Sequence, residues 1–308
     1  MSTMSKTTED NISLSYYDNF WQIERRGTPL TNIYWSRAKN VEQSYGTVYL
    51  IHGYGGSPIE PCMKIPMQAA LDAGFDVAAI EGVAMSATYG TKRIEKMNLA
   101  RQKAAIMQGL EFCETLPNIN HSYNIAWAHS ISCRALSDLL VAYPETRNYF
   151  RELVLNNPYF ITPSRVSATY NRIMAKDPSG ITWQTILKRP ALLFREIENI
   201  RYQIPSCLFN LNVPLPKSWA IEPDQLPELS KRISSYIDEI NVLFVLGTSD
   251  NMAEYSQNVQ IFNGIEVPNR ELISIRDANH SFENKLPEYT NVVSNILERI
   301  KVNQKFAR

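Results

Sequence analysis

The chain has 308 residues, 44% hydrophobic and 20% charged, with 31 basic and 31 acidic side chains and a formal net charge of zero. That length supports a sizeable core, in one large domain or in a core carrying an insertion, and the apolar content excludes a disordered chain. No basic stripe supplies the phosphate-neutralising field that a nucleic-acid partner requires.

The first residues, MSTMSKTTEDNISLS, are polar and include acids. They lack the apolar stretch of a secretory signal, and no run of eighteen or more apolar residues follows, so a cytoplasmic chain without a membrane span is expected. Strand patterns over 17–25 and 31–37 flank Gly27–Thr28–Pro29 and predict a hairpin. The run Thr47–Ile51 is short and nearly all apolar, as a strand buried on both faces must be. It leads into the glycine-rich loop His52–Gly53–Tyr54–Gly55–Gly56. A helix is predicted over 63–73, ended by Gly74, then a strand over 76–80 and helical spacing over 91–115. The alternation continues with a strand over 123–128, a helix over 132–143 and a strand over 152–156. Strand and helix in turn predict a parallel sheet with helices on both faces.

After Pro158 the rhythm breaks. Residues 159–239 read as helical pieces interrupted by Pro190, Pro205, Pro214, Pro216, Pro223 and Pro227, and they carry Trp183, Phe194, Phe209 and Trp219. The rhythm resumes with a strand over 241–246, a helix over 253–262, a strand over 271–276 and a helix over 287–302. The expected organisation is an α/β core from 1–158 and 240–308, with a helical cap inserted over 159–239.

Ligands of open parallel sheets bind beyond the carboxyl ends of the strands. Reactive side chains stand at several predicted strand ends: the glycine-rich loop, Ser130, Asp250 and His280. In YNIAWAHSISC an apolar strand stops at His129–Ser130 and a helical pattern begins. A serine hydroxyl becomes an effective nucleophile when a neighbouring base takes its proton, and a sharp strand-to-helix turn lifts it clear of the sheet. Such a turn needs small residues two before and two after, and Ala128 and Ser132 are small. Ser130 also suits a helix N-cap, and Ser132 is a second candidate nucleophile. Of four histidines, His52 lies in the glycine-rich loop as a structural hydrogen-bonder, His129 adjoins the serine, and His121 precedes the central strand at the wrong end of the sheet. His280 remains as the base. A third group must hold its imidazole in one tautomer; Asp250, Glu254 and Asp277 are the candidates.

The segments YLIHGYGGS, AHSIS, VLGTSD and RDANHSF, in the order Ser, Asp, His, resemble the α/β-hydrolase-fold serine hydrolases that carry a cap. The resemblance runs from about residue 15 to the end. It implies a mostly parallel sheet with an N-terminal antiparallel hairpin and an inserted helical cap. It implies Ser130 as nucleophile, His280 as base and Asp250 as the acid, with the backbone amides of Tyr54 and Ile131 forming an oxyanion hole. Tyr54, Gly55 and His129 would adjoin substrate. The family has glycine where this chain has Ala128 and Ser132; some acyl-carrier thioesterases have similar elbows built from small residues. The implied activity is hydrolysis of an ester or thioester of an apolar acyl group, on a small-molecule or carrier-bound substrate, through an acyl-enzyme. Acyl transfer, carbon–carbon bond hydrolysis and non-catalytic ligand binding share the fold. No metal or cofactor is expected: Cys62, Cys113, Cys133 and Cys207 lack metal-ligand spacing and read as reduced thiols. The loop HGYGGS lacks the Lys and Ser/Thr of a phosphate-binding P-loop.

Overall fold

The computed structural model describes residues 4–5, 16–25, 28–83, 99–160, 230–231, 233–234, 240–250, 252–266 and 269–307. Among the described residues, nine strands form one sheet: β1 (Met4–Ser5), β2 (Asn19–Arg25), β3 (Thr28–Ser36), β4 (Thr47–Ile51), β5 (Asp76–Gly82), β6 (Asn124–His129), β7 (Glu152–Asn156), β8 (Asn241–Gly247) and β9 (Arg270–Ile275), in the order β1-β2-β3-β5-β4-β6-β7-β8-β9. The β1–β2, β2–β3 and β3–β5 pairs are antiparallel; every pair from β5 to β9 is parallel. The principal helices of the described residues are α1 (Pro61–Ala73), α2 (Leu99–Glu114), α3 (Ile131–Ala142), α4 (Tyr255–Asn263) and α5 (Leu286–Ala307).

Strands β4, β5, β6 and β7 are buried at every position, which explains their continuous apolar runs. The period-two alternation divides their side chains between two cores. Tyr49 and Ile51 point into one, with Ile106 and Leu110 of α2 and Leu136 and Leu139 of α3. Val48 and Leu50 point into the other, with Met63 and Met67 of α1 and Val293 and Ile296 of α5.

Helix α1 starts with Pro61 and ends at Gly74, whose φ of 95° lets its N–H reach the carbonyls of Ala70 and Leu71. Pro66 inside α1 has no N–H for the carbonyl of Cys62, four residues earlier. The Tyr289 hydroxyl of α5 donates to that carbonyl instead, at 3.1 Å. A proline that usually breaks a helix here creates the acceptor that ties α1 to α5.

The described part of helix α2 begins at Leu99; the earlier part of the predicted segment, 91–98, lies outside the described residues. Helix α5 runs to Ala307, past the predicted end at 302, because no glycine or proline interrupts KVNQKFA. The predicted cap lies almost wholly outside the described residues, including Trp183, Phe194, Phe209 and Trp219. Of its last part, Ile233 is buried in the core and Ser230 donates to the carbonyl of Ile261 in α4 at 3.1 Å.

The strand order sets the site. The chain leaves β4 towards β5 on one side, whereas β6 leads towards β7 on the other. The loops after β4 and β6 therefore diverge at the carboxyl edge, the place where open parallel sheets bind their ligands.

Candidate active site

Parallel register brings the strand ends level: His129 pairs with Asn156, Asn156 with Val245, and Gly247 with Ile275. Adjacent strands lie about 4.8 Å apart, so β8 is roughly 10 Å from β6 and β9 roughly 14 Å. The loops lengthen to match. Ser130 follows β6 directly, Asp250 lies three residues beyond β8, and His280 lies five beyond β9. Each loop reaches back far enough for the three side chains to meet. The Nε2 of His280 is 2.8 Å from Ser130 Oγ, and its Nδ1 is 2.7 Å from Asp250 Oδ2. All three residues are buried.

Ser130 occupies a strained backbone conformation, φ 58° and ψ −130°. A non-glycine residue there costs about 1–3 kcal/mol and persists only when its surroundings hold it. They do: the Ser130 amide donates to the Asn156 carbonyl at 3.0 Å, and the Ser130 carbonyl accepts the amides of Tyr159 and Cys133 at 3.0 and 3.1 Å. Ala128 and Ser132 flank the turn and are fully buried. Ser132 directs its hydroxyl to the carbonyl of His52 at 2.6 Å, away from the role of nucleophile.

Asp250 is held at both oxygens. Its Oδ1 accepts the backbone amides of Met252 and Ala253 at 2.8 and 2.9 Å, leaving Oδ2 for His280. The other candidate acids stand elsewhere. Glu254 accepts a bond from Ser256 at the exposed start of α4, and Asp277 pairs with Arg276 in solvent.

The glycine-rich loop lies against this turn. A Cβ on Gly53 would fall 2.8 Å from Ser130 Cβ and 3.2 Å from His129 Nδ1, so only glycine allows the approach. Gly55 takes φ 67°, the left-handed region. The amide of Ile131 is the first of α3 and has no intrahelical acceptor. The Tyr54 side chain is half-buried against a small apolar cluster of Ile131, Tyr159 and Ala253, with Leu99 alongside. This cluster forms an apolar wall beside Ser130.

Among solved structures the chain is similar to three enzymes of matching architecture. Est1E from Butyrivibrio proteoclasticus, with ferulic acid bound, superposes with a TM-score of 0.61 at 16% identity, over 90% of this chain and 96% of that one. An esterase of Pyrococcus furiosus gives 0.58 at 16% identity, over 93% and 94%. A soluble variant of monoglyceride lipase from Saccharomyces cerevisiae, in complex with a substrate analog, gives 0.58 at 13% identity, over 90% and 93%. The chain has the α/β-hydrolase fold. No family model and no curated protein matches it by sequence.

Within this α/β-hydrolase fold, His129 has a place that the sequence did not reveal. Expected to adjoin substrate, it is 5% exposed, with its ring 4.8 Å from the ring of His280. Its Nε2 is 3.0 Å from the carbonyl of His280. A carbonyl only accepts, so the proton is on Nε2. Nδ1 is then a bare acceptor facing the Cys62 thiol at 3.7 Å. Burial pushes that thiol well up, so it keeps its proton. Burial, with His280 alongside, pushes His129 down to about 3. Burial likewise lowers His52, whose Nδ1 donates to the carbonyl of Gly53 at 2.7 Å. His121 lies before β6, hydrogen-bonded to Tyr49 and to the carbonyl of Cys113.

A histidine that is neutral in the fold but protonated near 6.5 when unfolded contributes stability that is present above 6.5 and lost as pH falls towards 3. One proton per molecule corresponds to a slope of about 1.4 kcal/mol per pH unit. Replacing His129 with Asn is therefore expected to flatten the pH dependence of unfolding free energy between 6.5 and 3 by roughly that slope, as measured by denaturant titration. Equal slopes for both proteins would contradict a neutral His129.

Three further residues support the site. Asn157, just beyond β7 and 1% exposed, accepts the Gly247 amide on Oδ1 at 2.7 Å and donates from Nδ2 to the carbonyls of Asn279 and His280, at 3.1 and 2.8 Å. Gly247 itself has no room for a side chain: an added Cβ would lie 2.5 Å from the Ala278 carbonyl oxygen. Phe282 stacks on Tyr289 of α5 at 4.3 Å and anchors the loop two residues past His280. The sequence signal for Asn157 was faint: an asparagine at a strand end, able to take the positive φ of 42° seen here.

Among the described residues, no group of three His, Cys, Asp or Glu is arranged to hold a metal, and no helix is long and apolar enough to cross a membrane.

Proposed function

We propose that the chain is a serine hydrolase that cleaves an ester of an apolar acyl group through an acyl-enzyme. The observation that carries this is the continuous hydrogen-bond chain from Ser130 through His280 to Asp250, with the serine on a strained strand-to-helix turn. Nδ1 of His280 holds its proton against Asp250, so Nε2 presents a lone pair to the serine hydroxyl. Ser130 Oγ attacks the carbonyl carbon and passes its proton to Nε2. The new oxyanion falls between the amides of Ile131 and Tyr54. As the tetrahedral adduct collapses, His280 returns the proton to the leaving oxygen and the acyl group remains on Ser130. Water then repeats the sequence and releases the acid.

Likeness to esterases and a lipase of the same fold supports an ester as the bond cleaved, with a thioester as the related alternative. The wall of Ile131, Tyr159, Ala253 and Tyr54 beside the serine supports an apolar acyl group. The proposed cap over 159–239 would cover the carboxyl edge and complete the pocket, on a small-molecule or carrier-bound substrate.

Labelling with a fluorophosphonate tests the reading. The intact protein is expected to take up one equivalent and Ser130→Ala none, while Ser132→Ala is still labelled. Full labelling of Ser130→Ala would move the nucleophile elsewhere.

A further inference from the structure

Ser132 stands two residues after the proposed nucleophile, where the resemblance calls for glycine, and its side chain is engaged. It is fully buried, with Oγ 2.6 Å from the carbonyl of His52 and 2.9 Å from Nε2 of Gln102, itself 1% exposed. The donor inventory fixes the directions. A carbonyl only accepts and a hydroxyl has one proton, so Ser132 donates to His52 and must accept from the Gln102 amide. The opposite amide orientation would set two acceptors against that single proton. This relay links α2, the first turn of α3 and the loop after β4.

The loop continues the arrangement. Nδ1 of His52 donates to the Gly53 carbonyl at 2.7 Å, and the Gly56 amide approaches the same oxygen at 3.3 Å. The Gly53 carbonyl and the Tyr54 amide are opposite ends of one planar trans peptide. Holding the oxygen on one side aims the N–H to the other.

We propose that Ser132 and Gln102 are positioning residues for the oxyanion hole. Their hydrogen bonds fix the His52 carbonyl and, through the His52 ring and the Gly53–Tyr54 peptide, the direction of the Tyr54 amide. The hydroxyl at position 132 thus adds to the loop a constraint that glycine cannot supply. Donors of this kind stabilise a developing oxyanion to the extent that they are aimed before the charge appears. The inference rests on the serine-hydrolase reading above.

The test compares Ser132→Ala, Gln102→Leu and the double variant with the unaltered chain on p-nitrophenyl butyrate. Competent sites are counted by fluorophosphonate uptake. Each protein is also titrated with a trifluoromethyl ketone of the same acyl length, whose hemiketal oxyanion occupies the hole. For Ser132→Ala, kcat per labelled site is expected to fall roughly tenfold, with KM changed less than about twofold. Ketone affinity should fall by the same factor, because both report on the transition-state oxyanion. The double variant should be no worse than Ser132→Ala, since both residues act through one chain of bonds. If Ser132→Ala does not fold, Gln102→Leu carries the same comparison. Unaltered kcat and ketone affinity, or a fall in kcat with ketone affinity intact, would overturn the proposal. Failure of the underlying reading looks different: the unaltered chain itself would neither be labelled nor cleave the ester.

Discussion

Asp250→Asn is expected to lower kcat by about 10⁴-fold with little change in melting temperature. The size follows from the bonds around the carboxylate. Oδ1 accepts the amides of Met252 and Ala253, so the carbonyl oxygen of an asparagine must stay there. Its NH₂ group then faces His280 Nδ1, where Oδ2 was. Two donors cannot face each other, so the imidazole proton moves to Nε2, the nitrogen beside Ser130. The ring keeps its place and loses the lone pair that, in the proposed mechanism, takes the serine proton. Glu254→Gln and Asp277→Asn, the first half-buried beside Ser256 and the second exposed beside Arg276, are expected to change kcat less than about twofold. Steady-state kinetics and thermal unfolding on the three variants check this. A damaged Glu254→Gln beside a mild Asp250→Asn would refute the assignment of the acid.

Asn157→Ala is expected to lower both stability and kcat. Its side chain makes hydrogen bonds to Gly247, Asn279 and His280, which join the end of β8 to the loop that carries the histidine. Removing it takes the acceptor from the buried Gly247 amide and one of two donors from each of the Asn279 and His280 carbonyls, and places alanine at a positive φ of 42°. The expected loss is about 2–4 kcal/mol in unfolding free energy. The His129 bond to the His280 carbonyl remains, so the loop shifts without unfolding. A displacement of about 1 Å in a reacting group costs on the order of 10²-fold in rate. Asn157→Asp separates the two effects. It keeps the acceptor for Gly247 but turns an oxygen towards the carbonyls of Asn279 and His280, so its kcat should be at least as low as that of Asn157→Ala. Wild-type kcat and melting temperature in Asn157→Ala would show that the loop is held by other means.

Much of this arrangement is legible in the chain. The strands read at 47–51 and 152–156 match β4 and β7 to the residue, because a strand buried on both faces carries a near-continuous apolar centre, here Val48–Ile51 and Leu153–Leu155. The α/β alternation implied the parallel sheet, and the sheet implied a site at its carboxyl edge. Small residues around Ser130 marked the sharp turn, since only they fit it. Asn157 was barely legible, as an asparagine at a strand end, and Gln102 not at all, because nothing in its local sequence separates it from any other polar residue in a helix. His129 directly precedes the serine in sequence, but nothing local to it indicates that its ring lies 4.8 Å from that of His280.

By itself, then, the sequence determined the kinds of element, their order and the residue types at the strand ends, because periodicity and turn chemistry act over a few residues. The tertiary structure decided which atoms meet. Ser130 and His280 are 150 positions apart, and their 2.8 Å contact depends on strand register, on loop lengths matched to strand separation and on the strained φ of one serine. The tautomers of His52 and His129 were decided the same way, each by the single carbonyl that faces its ring. Such choices depend on distances between distant segments, and these exist only once the sheet has closed around its two cores.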